Sequence, residues 1–130
     1  MNILPDLVYT ETDEWVKAEG KTATIGISDY AQDQLSDVVY VEYVVSVGDN
    51  ISKGQQIATI ESVKAAADVN SPVSGTVVAV NEGLPQSPEL VNKDPFGQAW
   101  MVKIEMDEPN ELTALMNSDA YDAYCKERSH

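Results

Sequence analysis

Lys64 is the side chain whose surroundings single it out for chemistry. It stands in Glu61-Ser62-Val63-Lys64-Ala65-Ala66-Ala67-Asp68, between two stretches with the period-2 alternation of β-strands. The lysine therefore falls where the chain reverses direction. A primary amine at such a tip, with small or apolar neighbours and no catalytic partner close in sequence, is placed to be modified by another enzyme and poorly placed to catalyse. Lysines at turns are ordinarily plain surface charges; the bare alanine flank is what sets this one apart. Lys53, before Gly54, is the competing tip lysine and has no such flank.

The other parts of an active site are missing from the sequence. The single histidine, His130, is the last residue, where fraying is expected. Without a second histidine, a serine or cysteine nucleophile has no imidazole base. Cys125 is the only cysteine, which rules out an intramolecular disulfide and reads as a packing residue on a terminal helix. No Cys-x-x-Cys or histidine cluster is present for zinc, and no glycine-rich nucleotide loop. The acidic pairs Asp13-Glu14 and Asp107-Glu108 read as solvated surface in so acidic a chain. The expectation is a protein with no catalytic residues and no metal site. An enzyme acting through carboxylates alone stays open; it predicts turnover by the unmodified protein.

The 130 residues are 43% hydrophobic, enough for one domain with a true core. That domain is expected to span 1–130, with its body at about 9–106 and helices at about 109–126. Acidic side chains outnumber basic ones 22 to 8, a net charge of −14. This opposes binding to nucleic acid, which needs cations against phosphate, and to anionic membranes. It suits a mobile protein that meets partners with basic patches. No apolar run approaches the roughly 20 residues that span a bilayer. The start, Met1-Asn2-Ile3-Leu4-Pro5-Asp6-Leu7, has neither a basic and apolar signal pattern nor the arginines of a transit peptide. A cytoplasmic location is expected.

The positioning elements read as follows. Trp15 to Glu19 and Thr22 to Ile27 form a hairpin around Gly20-Lys21. Ser28 caps a short helix, Asp29 to Leu35, with Ala31 and Leu35 on one face. Val38 to Val45, nearly all β-branched or aromatic, predicts a strand buried on both faces or covered by a partner. Turns follow at Gly48-Asp49 and Lys53-Gly54. Gln56 to Ser62 and Asp68 to Val73 are the strands flanking Lys64, with Gly75 to Val80 next. Val63 to Ala67 has high helix propensity but is too short to hold a helix against its strand-like flanks. Asn81 to Gly97 reads as a long surface loop with at most one helical turn. Trp100 to Met106 gives a last strand, Pro109 opens a helix covering Leu112, Leu115 and Met116, and Ser118 caps a final helix, Asp119 to Lys126.

Six blocks in collinear order carry a family resemblance: Asp13-Glu14-Trp15-Val16, Ala23 to Gln32, Glu61-Ser62-Val63-Lys64-Ala65, Asn70 to Gly75, Pro88 to Asn92, and Gly97-Gln98-Ala99-Trp100. Together they resemble the glycine cleavage system H proteins, from about Tyr9 to Cys125. The resemblance implies a mainly β fold, a flattened β-sandwich of the barrel-sandwich hybrid, lipoyl/biotinyl-like kind, with the lysine on a hairpin turn and short C-terminal helices. It implies lipoic acid in amide linkage on Lys64. It also implies a non-catalytic shuttle in glycine catabolism, carrying an aminomethyl group from a pyridoxal-phosphate glycine decarboxylase to a tetrahydrofolate-dependent aminomethyltransferase, and electrons to the FAD enzyme dihydrolipoyl dehydrogenase. A lipoate ligase or a lipoyl/octanoyl transferase attaches the group, and the carrier is expected to be a monomer.

In that family the loaded arm folds into a cleft, and the matching positions here include Thr12, Glu14 and Gln34; Glu14 is expected to accept a charge-assisted hydrogen bond from the aminomethyl ammonium. This chain departs from the family pattern at four places. Asp13 and Gln34 stand where histidine is usual, Ser36 where glycine is usual, and Tyr43 to Val47 replaces a shorter segment containing proline. Two further readings keep a modified lysine: an H-like protein that donates lipoyl groups to other enzymes, and a lipoyl or biotinyl domain of a larger enzyme. The latter has Asp-Lys-Ala or Met-Lys-Met around its lysine and a Pro/Ala-rich tether, neither of which appears here.

Overall fold

A computed structural model describes residues 2–128; His130 and its expected fraying lie outside the described residues. The strands are β1 Val8–Tyr9, β2 Glu14–Glu19, β3 Thr22–Ile27, β4 Val38–Tyr43, β5 Asn50–Ile51, β6 Gln56–Ser62, β7 Ala66–Asn70, β8 Gly75–Val80 and β9 Val102–Met106. They form a six-stranded sheet in the order β1-β2-β3-β9-β8-β5 and a three-stranded sheet in the order β4-β6-β7. All strand pairs are antiparallel. The result is the flattened β-sandwich expected from the sequence.

Alternation builds the core between the sheets. Ile25 of β3, Ile57 and Ile60 of β6, Val77 of β8 and Ile104 of β9 belong to one buried cluster. Each such side chain contributes roughly 1.5–3 kcal/mol by leaving water. Close strand approach needs Gly75: a Cβ there would collide with the Glu105 carbonyl oxygen. The helix α1, Asp29–Leu35, starts as expected, with the Ser28 hydroxyl accepting from the Ala31 N–H. Its face with Ala31 and Leu35 packs on the same core.

Several expectations are corrected. β4 is not buried on both faces: Val39 and Tyr40 are 55% and 43% exposed. A register shift between Val38 and Tyr40 turns both outward, while Val38 and Val41 stay inside. The segment Asn81 to Gly97 is more than a surface loop. It holds a 3₁₀ turn, Leu84–Gln86, and the helix α2, Leu90–Lys93, whose Leu84 and Val91 are fully buried. Those two side chains anchor the segment, and Asn92 fastens it to the body by accepting from the Val38 N–H and donating to the Ser36 carbonyl. After Pro109 the chain makes a 3₁₀ helix, Pro109–Ala114. It stops before Met116, which instead bridges to Tyr9. The last helix, α3, spans Ser118–Arg128 and is capped by Asn117, not Ser118, through the Ala120 N–H. The two-residue strands β1 and β5 were too short for alternation to reveal.

Candidate functional site: the Lys64 turn and its cleft

The β6–β7 hairpin presents Lys64. Glu61 pairs with Ala66, leaving Ser62 to Ala65 to close the turn. Ser62 organises it: its Oγ accepts from the N–H groups of Lys64 (3.2 Å) and Ala65 (2.9 Å) and donates to the Ala65 carbonyl (3.0 Å). The Val63 N–H donates to the Asp37 carbonyl on the neighbouring segment. This is a side-chain-braced turn, so an exposed lysine projects from a fixed frame. Ala66 and Ala67 join β7 despite their helix propensity, because pairing with β6 gives their backbone groups partners that a five-residue helix lacks. The Lys64 Nζ lies 3.3 Å from the carbonyl oxygen of Gln34, in the last turn of α1.

Beyond Gln34 opens a cleft of about 170 Å³. Ile27, Ala31, Leu35, Ile60, Ala67 and Val69 supply apolar walls, and Thr12, Asp13, Glu14, Gln34 and Asp68 supply the polar lining. The structure thus brings Thr12, Glu14 and Gln34 together, although they come from the turn before β2, the start of β2 and the end of α1. A wider depression of about 380 Å³ lies on the other side of Glu14, beside Lys53, Pro72 and Leu115. Lys53 projects there, away from the alanine-flanked turn. The smaller cleft adjoins the partner of Lys64 and has walls suited to an aliphatic chain.

Glu14 is 1% exposed. Its Oε1 accepts from the hydroxyls of Thr10 (2.6 Å) and Thr12 (2.5 Å), and its Oε2 from the Asn70 N–H (3.2 Å). A carboxylate has about four acceptor positions, so one on Oε2 remains. Burial pushes its pKa above the ordinary value, and the three donors hold that rise back. The reading of Asp13-Glu14 as solvated surface is therefore overturned. Asp107 and Glu108 are exposed as expected.

Asp13 faces a second network. Its carboxylate receives two hydrogen bonds from Arg128 (2.6 and 3.2 Å) and one from the Tyr121 hydroxyl (2.8 Å). Ser28 Oγ lies 2.6 Å from that same hydroxyl oxygen. Because the tyrosine proton goes to Asp13, Ser28 is the donor there. Burial raises the Tyr121 pKa, and the adjacent Asp13 carboxylate raises that of Arg128. Neither Arg128 nor Tyr121 was legible as a site residue, for each lies more than a hundred positions from Asp13. Thr10 and Asp68 had a local signal: Thr10, Thr12 and Glu14 are two apart, and Asp68 lies two before Asn70.

Comparison with known proteins shows the family. The sequence profile of the family described as Glycine cleavage H-protein matches residues 7–128. The chain is 51% identical over 125 residues to "Glycine cleavage system H protein 2, mitochondrial" of Arabidopsis thaliana, covering 96% of this chain and 80% of that protein. It is 52% identical over 117 residues to "Glycine cleavage system H protein" of Thermotoga maritima, covering 90% and 94%. Among solved structures, a glycine cleavage system H protein from Mycobacterium marinum superposes with a TM-score of 0.83 at 27% identity, over 98% of this chain and all of that one. A braced lysine turn beside an apolar cleft, on this sandwich and with these relatives, places the chain in the glycine cleavage H-protein family.

Proposed function

We propose that this protein is the lipoyl-bearing shuttle of the glycine cleavage system, with lipoic acid in amide linkage to Lys64. The observation that carries the reading is the position of Lys64: exposed, on a turn braced by Ser62, with its Nζ against Gln34 at the end of an apolar cleft. When attached, the group supplies a disulfide that accepts an aminomethyl group and electrons. The chain itself supplies the frame, the cleft and the charges. Ile27, Leu35, Ile60 and Val69 would shelter the aliphatic stem from water. Glu14 would accept a charge-assisted hydrogen bond from the cargo ammonium at its remaining acceptor position. Excluding water there protects a labile cargo.

The protein is on this reading a non-catalytic carrier and a substrate for several enzymes: glycine decarboxylase, aminomethyltransferase, dihydrolipoyl dehydrogenase and the ligase or transferase that lipoylates it. It meets each briefly as a monomer, and its −14 charge favours fast, steered encounters. No described helix is long and apolar enough to cross a membrane. A cytoplasmic setting fits a chain with one cysteine, while the Arabidopsis relative carries a mitochondrial name.

Intact mass of the natively expressed protein, followed by peptide mapping, tests the attachment. One lipoyl group is expected on Lys64, none on Lys53 and none in Lys64→Arg; modification elsewhere in Lys64→Arg defeats the assignment. Glycine-dependent carbon dioxide release with the partner enzymes separates the shuttle from a donor of lipoyl groups.

A further inference from the structure

The last residue of α3 contacts two elements that wall the cleft, α1 through Tyr30 and the turn before β2 through Asp13. The guanidinium of Arg128 lies between two tyrosine rings, 4.4 Å from the centroid of Tyr30 on α1 and 4.0 Å from that of Tyr124 on α3. From there it grips Asp13 through both carboxylate oxygens. Asp13 sits at φ 73°, an uncommon backbone for a residue with a side chain, and it lines the cleft between Thr12 and Glu14. Its carbonyl accepts from the Ser28 N–H at the start of α1. The turn carrying Thr12 and Glu14 is thus tied to the helix carrying Gln34, with Arg128 as the charged link.

We propose that Arg128 is a positioning residue for the cleft, holding the Asp13 turn against α1 so that Thr12 and Glu14 face Gln34 at a fixed separation. Two further bonds from α3 lie on the same line, Tyr121 to Asp13 and Tyr124 to the Glu11 carbonyl. The helix therefore acts as a splint across residues 11–13. Arg128 suits the task because a planar guanidinium stacks on aromatic faces while forming paired bonds to a carboxylate. The sheltering role of the cleft rests on the carrier reading above; the splint itself does not.

The experiment compares wild type with Arg128→Met, which keeps an apolar stem between the rings, and Arg128→Lys, which keeps the charge. Amide hydrogen exchange is read first, on protein without a lipoyl group. In Arg128→Met, exchange at Asp13, Glu14 and Ser28 is expected to rise about tenfold, with the amides of β8 and β9 unchanged and Arg128→Lys intermediate. No change at those amides overturns the splint. The second reading is ammonia release from the aminomethyl-loaded carrier without the aminomethyltransferase, expected to rise several-fold in Arg128→Met. Faster exchange with unchanged release overturns the positioning role and leaves Arg128 a structural residue. Were Arg128→Met to lose its fold, Asp13→Asn, which keeps a side chain suited to positive φ, gives the same two readings. If wild type takes up no lipoyl group the carrier reading falls, and the exchange data still decide the splint.

Discussion

The ammonium of Lys64 rests on the backbone carbonyl of Gln34, a residue thirty positions earlier in the chain. That carbonyl belongs to the last turn of α1, which holds no basic residue of its own, so Lys64 supplies from another element the cation that a helix C-terminus favours. Acylation as proposed would remove this charge and leave one N–H able to donate. The attraction is screened, because the lysine is exposed. Lys64→Gln is therefore expected to unfold in urea within about 0.5 kcal/mol of wild type. A cost well beyond that would show Lys64 to be structural rather than a tether.

Among the described residues, two with side chains adopt positive φ, Ser36 and Asp13, and opposite outcomes are expected from replacing them by glycine. Ser36 ends α1 at φ 65°, ψ −152°, a region nearly confined to glycine. The bonds this residue makes use its backbone N–H and carbonyl. Ser36→Gly should stabilise the protein by about 1 kcal/mol, after the larger unfolded-state entropy of glycine is subtracted. The melting temperature should rise by about 3–5 °C.

Asp13, at φ 73°, gains less backbone relief from glycine, because aspartate tolerates positive φ better than serine does, and it loses its bonds to Arg128 and Tyr121. A half-buried cation then lacks its partner. Asp13→Gly should destabilise by roughly 2 kcal/mol in the same thermal scan. Equal effects at both positions would show that backbone strain alone governs them.

The pH dependence of stability should carry the mark of Glu14. Its folded pKa lies above the ordinary 4.5, chiefly because burial disfavours the carboxylate. The folded protein therefore holds this proton more tightly than the unfolded chain does. The resulting stability is fully present below the unfolded pKa and is lost as pH rises through the folded value. Many carboxylates titrate in so acidic a chain, so the informative quantity is a difference. Urea unfolding of wild type and Glu14→Gln from pH 4 upward should show wild type losing ground to the variant above about 4.5. A difference that stays flat, or moves the other way, removes the desolvation account.

The sequence revealed what is local and periodic. The β2–β3 hairpin, the Ser28 cap, β8 and the Lys64 turn all depend on neighbours within a few positions. Even the rivalry between helix and strand at Ala66 and Ala67 is decided by the adjacent pairing strand. The misreadings have a common physical source in single long-range contacts. A run of β-branched residues at Val38 to Val45 reads as fully buried unless the register shift beside Tyr40 is known. A Pro- and Asn-rich stretch reads as loop unless Leu84 and Val91 are seen to fill the core. At the site, Thr12, Glu14 and Gln34 were named through family resemblance, whereas the α3 splint depends on Asp13 meeting Tyr121 and Arg128. No local pattern encodes that meeting.

The outer face of the small sheet should govern how quickly partner enzymes find the carrier. Across β4, β6 and β7, Tyr40 stands opposite Glu61 and Glu61 opposite Ala66, with Glu42, Thr59 and Asp68 in the next row. Glu42, Glu61 and Asp68 are exposed, so three carboxylates flank the approach to Lys64 among apolar Val39, Tyr40 and Val63. Exposed charges of this kind steer encounters and add little to the bound complex. Reversing two of them, in the double variant Glu42→Lys with Glu61→Lys, should raise the KM of each partner enzyme for the carrier about tenfold at low salt and leave kcat unchanged. The gap should close toward 0.5 M salt, where screening acts over only about 4 Å. A kcat that falls with KM unaltered would place these carboxylates in the chemistry of the docked complex and not in its approach.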